Sequence, residues 1–178
     1  MLKTISSNTR APKYFHMSRE HRKDIPVFTA ILTVSTTRTE KTDLSGAILR
    51  DAFTNAGMQI VVQEIVTDDV VAIKNALTHA MITANCIILC GGTGLTCDDC
   101  TIEAVTPFFE KTMDGFGELF RRLSYDEVQN SVILTRATAG IVNGKVIFCI
   151  PGSPNAAKLA AEKIIVPEIR HILTHAGQ

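Results

Sequence analysis

An α/β fold built on a mostly parallel sheet with one antiparallel strand is what this sequence predicts, and three observations predict it. Short apolar, β-branched runs alternate with segments of helical spacing; an Asn-Gly pair divides two later apolar runs; and a Ser-Pro pair opens a last long helical segment. Strands separated by helices pair in parallel through right-handed crossovers. Asn-Gly between apolar runs is the strongest short-range hairpin signal, so one strand turns back against its neighbour.

The elements follow in order. Residues 1–24 carry a basic excess and no periodic apolar pattern, which reads as an arm or edge extension, mobile or interface-forming, ahead of a single domain over 25–178. Val27 to Val34 has the composition of a strand buried on both faces. Ser45 to Asn55 follows with helical spacing through Ile48, Leu49 and Phe53, and Gly57 supplies a left-handed stop. The alternation repeats, with Ile60 to Val66 as strand, Val70 to Ile82 as helix and Cys86 to Cys90 as strand. Ala139 to Val142 and Lys145 to Ile150 are the arms of the hairpin. Ser153 is placed to cap the final helix, with Pro154 at its first position.

Composition narrows the function classes. The chain has 178 residues, and its 18 Lys+Arg balance 18 Asp+Glu, so there is no overall positive field to gather nucleic acid or an anionic membrane surface. An anionic ligand must be held locally. No apolar run approaches the length of a membrane span or has the form of a secretory leader, and a cytoplasmic protein is expected. The cysteines number five, an odd count that suits reduced thiols better than a disulfide framework. Cys97-Asp98-Asp99-Cys100 could be a redox pair, half of a zinc site, or two thiols flanking an acidic loop; the missing second pair favours the last. His171 and His175, one turn apart, read first as a solvated helix face, with metal ligation as the competing reading.

In an open parallel sheet, ligands bind beyond the carboxyl ends of the strands. The turns expected there are Ser35-Thr36-Thr37-Arg38, Thr67-Asp68-Asp69, Gly91-Gly92-Thr93-Gly94 and Pro151-Gly152-Ser153-Pro154. Thr135-Arg136 joins them if the antiparallel strand starts there. Glycines after a buried strand let successive N–H groups close around a phosphate, and the N-terminus beside Gly152-Ser153 offers a second anion site. The loop is neither a Walker A motif nor a dinucleotide fingerprint. Asp68 and Asp99 beside these nests could hold magnesium, which takes one or two carboxylates and leaves its other positions to water and phosphate. Either could instead cap a helix, and charge alone does not separate Asp68 from Asp69 or Asp99 from Asp98.

Taken in order, Thr33-Val34-Ser35, Gly91 to Thr96, Asp99-Cys100-Thr101, Thr135-Arg136 and Pro151-Gly152-Ser153 resemble the molybdopterin-binding domain family over about Val27 to Leu173. Gly115 to Arg121 with Leu123-Ser124 looks most like its B-type biosynthetic branch. The resemblance implies a three-layer αβα sandwich that self-associates into trimers or hexamers. It also implies molybdenum cofactor biosynthesis, by transfer of AMP from ATP to the phosphate of molybdopterin with magnesium. On the matching positions it makes Asp99 and Asp68 the catalytic and metal-binding acids. Ser35, Gly91, Gly92, Thr93, Gly94, Thr101, Thr135, Pro151, Gly152 and Ser153 become binding residues for substrate and phosphate. Contact with other proteins of cofactor synthesis is a further implication. Two positions depart from the family pattern: Thr36 stands where many members have Asp, and Ile102 where a proline is usual. They motivate the alternative of a molybdopterin-binding or scaffold protein without chemistry.

Overall fold

The computed structural model describes residues 25–178, so the arm expected over 1–24 lies outside the described residues. The strands are β1 (Phe28–Val34), β2 (Gln59–Val66), β3 (Cys86–Cys90), β4 (Lys111–Thr112), β5 (Thr138–Val142) and β6 (Lys145–Ile150). They form one sheet in the order β2-β1-β3-β6-β5-β4. β2, β1, β3 and β6 pair in parallel, whereas β5 is antiparallel to both β6 and β4. β5 is thus the single reversed strand. The hairpin turn uses Asn143 at φ 48° and Gly144 at φ 72°, the two positive angles that a tight turn between twisted strands requires.

The helices are α1 (Leu44–Asn55), α2 (Val70–Thr83), α3 (Thr101–Val105), α4 (Asp114–Val128), α5 (Pro154–Leu159) and α6 (Val166–Ala176). Side-chain alternation along the strands divides the core in two. Ile31, Ile88, Val146 and Phe148 face α1, α4, α5 and α6 through Leu49, Phe53, Phe116, Phe120, Ala157 and Ile169. Leu32, Ile87, Leu89 and Ile147 face α2 and α3 through Ile73, Leu77, Ala104 and Val105. The result is the three-layer sandwich expected, with β3 wholly buried because helices cover both its faces.

Four features were not anticipated: α3, the two-residue β4, α4, and a wide π-helical turn over Ala160–Ile165 that joins α5 to α6. α4 carries Phe116, Leu119, Phe120 and Leu123 at helical spacing, but Gly115 and Gly117 in its first turns weaken the helical signal. The antiparallel strand starts at Thr138, so Thr135 and Arg136 precede it as loop, after a 3₁₀ turn over Gln129–Leu134.

Candidate functional site

Register brings the strand ends into line. Val34 of β1 pairs with Val66 of β2, Thr33 with Cys90 of β3, and Cys90 with Ile150 of β6. Thr138, the first residue of β5, pairs with Cys149. All five neighbouring turns therefore emerge on one edge, as the sequence predicts. Hydrogen bonds then lace them together: Ser35 N donates to Val66 O at 2.8 Å, and Gly91 N to Ile150 O at 3.0 Å.

The glycine loop depends on backbone geometry open to glycine alone. Gly91 has φ +115° and Gly92 φ +59°, and a Cβ at Gly91 would collide with the Val34 carbonyl oxygen. A Cβ at Gly92 would press on Thr101 Oγ1 at 2.5 Å and Asp68 Oδ1 at 3.1 Å. The loop is pinned from α3, where Thr101 donates its hydroxyl to Gly91 O at 2.8 Å and its amide to Gly92 O at 2.9 Å. With those carbonyls engaged, the Gly91 amide given to Ile150 and the Gly94 amide to Asp99, the amides of Gly92 and Thr93 are the loop's donors for a ligand. Gly152 comes so close that a Cβ there would lie 3.1 Å from Gly91 Cα. Its carbonyl accepts from Arg38 Nη2 at 2.7 Å and Ser45 Oγ at 2.8 Å, tying the Pro-Gly-Ser turn to the first loop and α1.

The two aspartates are held by threonines in different ways. Asp99 Oδ2 accepts from the amide and hydroxyl of Thr96, at 2.9 and 2.6 Å, within one loop. The Thr96 hydroxyl first, then the Thr96 and Gly94 amides and the Arg136 guanidinium, hold its carboxyl below the ordinary 3.8. Asp68 Oδ2 accepts from the amide and hydroxyl of Thr36, at 2.7 and 2.8 Å, across two loops. Neither is a helix cap. Asp69 caps α2 through Ala72 N at 2.8 Å, which resolves the ambiguity between the neighbours. Asp98 has only the Cys97 thiol as partner, at 3.5 Å.

A hollow of about 450 Å³ opens between these turns, lined by Ser35, Arg38, Gly91 to Gly94, Asp99, Thr135, Pro151 and Gly152 together with Val34, Thr37 and Leu134. A second of similar volume adjoins it, sharing Thr135 and Pro151 and running past Ser153 between α4 and α5. Three predicted residues stand outside the first hollow. Thr101 supports the loop from beneath, Ser153 lines the adjoining space and caps α5 through Ala156 N, and Asp68 sits behind Gly92.

The model of the family described as probable molybdopterin binding domain matches residues 30–171. This chain belongs to that family. It is 45% identical over 159 residues to molybdenum cofactor biosynthesis protein B of Halalkalibacterium halodurans, covering 86% of this chain and 94% of the relative. A crystal structure of a molybdenum cofactor biosynthesis protein B superposes with TM-score 0.82 at 41% identity, over 85% of this chain and 96% of that one. The tungsten cofactor synthesizing protein of Pyrococcus furiosus gives 0.80 at 39%, over 86% and 98%.

Within this molybdopterin-binding domain, two arginines that the sequence places on the ligand edge have roles it did not reveal. Arg38 lines the hollow, holds Gly152 O and lies 3.6 Å from the buried Asp43. Arg136 donates to Thr93 O at 3.0 Å and pairs both its terminal nitrogens with the Glu103 carboxylate, so it clamps the glycine loop to α3. Their partners lie 114 and 33 residues away, beyond the reach of any local pattern.

All five cysteines are free, and burial together with Asp68, Asp69, Glu103 and Asp99 pushes the Cys100 thiol up. Cys90 is pushed up to about 12, chiefly by burial. Among the described residues no group of three or more His, Cys, Asp or Glu could hold a metal ion. No helix of the described residues is long and apolar enough to cross a membrane.

Proposed function

We propose that this domain acts in molybdenum cofactor biosynthesis and transfers AMP from ATP to the terminal phosphate of molybdopterin. The observation that carries the reading is the single hollow in which the glycine loop, Asp99, Thr135 and the Pro151-Gly152 turn meet. In the proposed step a phosphate oxygen of the pterin attacks the α-phosphorus of ATP. The bond from that phosphorus to the bridging oxygen breaks, and pyrophosphate leaves. Such a transfer needs alignment and charge neutralisation and no protein nucleophile.

The amides of the glycine loop orient phosphate oxygens, while Arg38 contributes positive charge at the wall of the hollow. Arg136 holds the loop in place through Thr93 and Glu103. Asp99 stays ionised at neutral pH because the Thr96 hydroxyl and amides favour its charged form. Asp99, in the lining of the hollow, would be the first carboxylate to hold magnesium, with Asp68, held by Thr36 behind Gly92, as the second. When bound, magnesium would neutralise part of the triphosphate charge.

Purified protein incubated with ATP, magnesium and molybdopterin should release one pyrophosphate per adenylylated pterin, and Asp99→Asn should abolish the release while the fold persists. Full turnover in that variant would overturn the role given to Asp99. One observation favours a second reading, a pterin-binding or scaffold protein without chemistry: Asp68 is bound to Thr36 and lies outside the hollow's lining. Tight molybdopterin binding without pyrophosphate release would select it. The proposal extends to self-association into a trimer or hexamer, measurable by light scattering, to a cytoplasmic location, and to contacts with other proteins of the pathway.

A further inference from the structure

His171 and His175, on successive turns of α6, stand apart from the hollow and have no part in the proposed transfer. Their Nε2 atoms are 3.0 Å apart. Glu168, one turn earlier, accepts from His171 Nδ1 at 3.2 Å. A carboxylate oxygen accepts, so that bond calls for the His171 proton on Nδ1, and in the metal-free chain His171 Nε2 then accepts from His175 Nε2. The pair lines a third surface hollow, of about 390 Å³, with Glu110, Lys111, Met113, Ile141 and Ile172.

Zinc lies 2.0 to 2.1 Å from each imidazole nitrogen, so two such ligands at a tetrahedral angle are roughly 3.3 Å apart. The separation between these histidines differs from that by a few tenths of an ångström, which a small rotation of each ring supplies. A carboxylate on the far nitrogen of a ligating histidine fixes its tautomer and strengthens its donor atom. Glu168 already stands in that position. Two features therefore agree: the approach of the ring nitrogens that the helical spacing brings about, and the backing carboxylate.

We propose that His171 and His175 form a solvent-open binding site for a divalent transition ion of the zinc class, with Glu168 as the carboxylate behind the first ligand. No third metal-ligating side chain joins them among the described residues, so water completes the coordination. Affinity in the micromolar range follows from two protein ligands, well short of a closed structural site.

Titration calorimetry with zinc chloride alone, on the full chain in a non-chelating buffer, tests this. One saturable site per chain is expected, with Nε2 resonances of both rings shifted in nitrogen-edited NMR. His171→Ala and His175→Ala should each weaken binding at least tenfold, and Glu168→Gln should weaken it about tenfold. Unchanged melting temperatures of the zinc-free variants would separate loss of a ligand from loss of fold. Zinc binding that survives His171→Ala/His175→Ala and disappears in Cys97→Ser/Cys100→Ser would overturn the assignment, as would no saturable binding by the parent chain.

Discussion

Two loops on the same sheet edge hold an aspartate by the same device, a threonine donating both amide and hydroxyl to one carboxylate oxygen, yet they do so at different range. Thr96 and Asp99 are three residues apart; Thr36 and Asp68 are 32 apart. The first pair sets its carboxylate whatever the rest of the molecule does. The second fastens the turn after β1 to the turn after β2, so its carboxylate is part of the scaffold. The contrast explains why Asp99 faces the hollow and Asp68 stands behind the glycine loop.

Substitutions can break that contrast. Asp99→Asn should lower pyrophosphate release by about 10³-fold, the scale of losing one preorganised electrostatic group, with melting unchanged. If Asp68 is chiefly scaffold, Asp68→Asn should cost markedly less activity in the same assay. Gly91→Ala strikes the support the two sites share. Strain at φ +115° and collision with Val34 should cost about 3 kcal/mol in urea unfolding.

A smaller effect belongs to Thr36→Asp, which installs the residue that the family resemblance leads one to expect there. Facing Asp68, it replaces the hydroxyl's donated hydrogen bond with a like charge while the backbone amide bond remains, and should destabilise by about 1 kcal/mol. Easing of that loss as pH falls through the carboxylate range is the signature to seek. The smallest effect is on titration. Because Asp99 in the folded chain lies below 3.8, its stabilising contribution is present above that value and fades as pH falls through the lower, folded one. Carboxyl-carbon NMR should show that low midpoint, and Thr96→Ala should move it upward.

Much of this edge was legible because alternation of strand and helix fixes where turns must lie. β3 and the Asn143-Gly144 hairpin follow directly from apolar runs and turn chemistry, and the Ser153 cap from its Pro154 neighbour. What stayed hidden depends on distance along the chain. Asp69 caps α2 because it directly precedes Val70, whereas the bond that gives Asp68 to Thr36 spans 32 residues and no local spacing encodes it. Arg38 and Arg136 act on carbonyls that only the folded sheet delivers. α4 went unread because Gly115 and Gly117 interrupt the start of an otherwise helical apolar spacing.

The wide turn at Ala160–Ile165 has a consequence for everything beyond it. A straight helix advances roughly 100° per residue, and one extra residue in a single turn sets the remainder back by about that angle. Continued without it from the face buried at Ala157 and Ala161, the chain would swing Ile169 and Leu173 toward the flank and carry His175 inward. The surplus residue acts as a phase corrector, keeping the oily seam of the C-terminal segment against the sheet and its imidazoles in water.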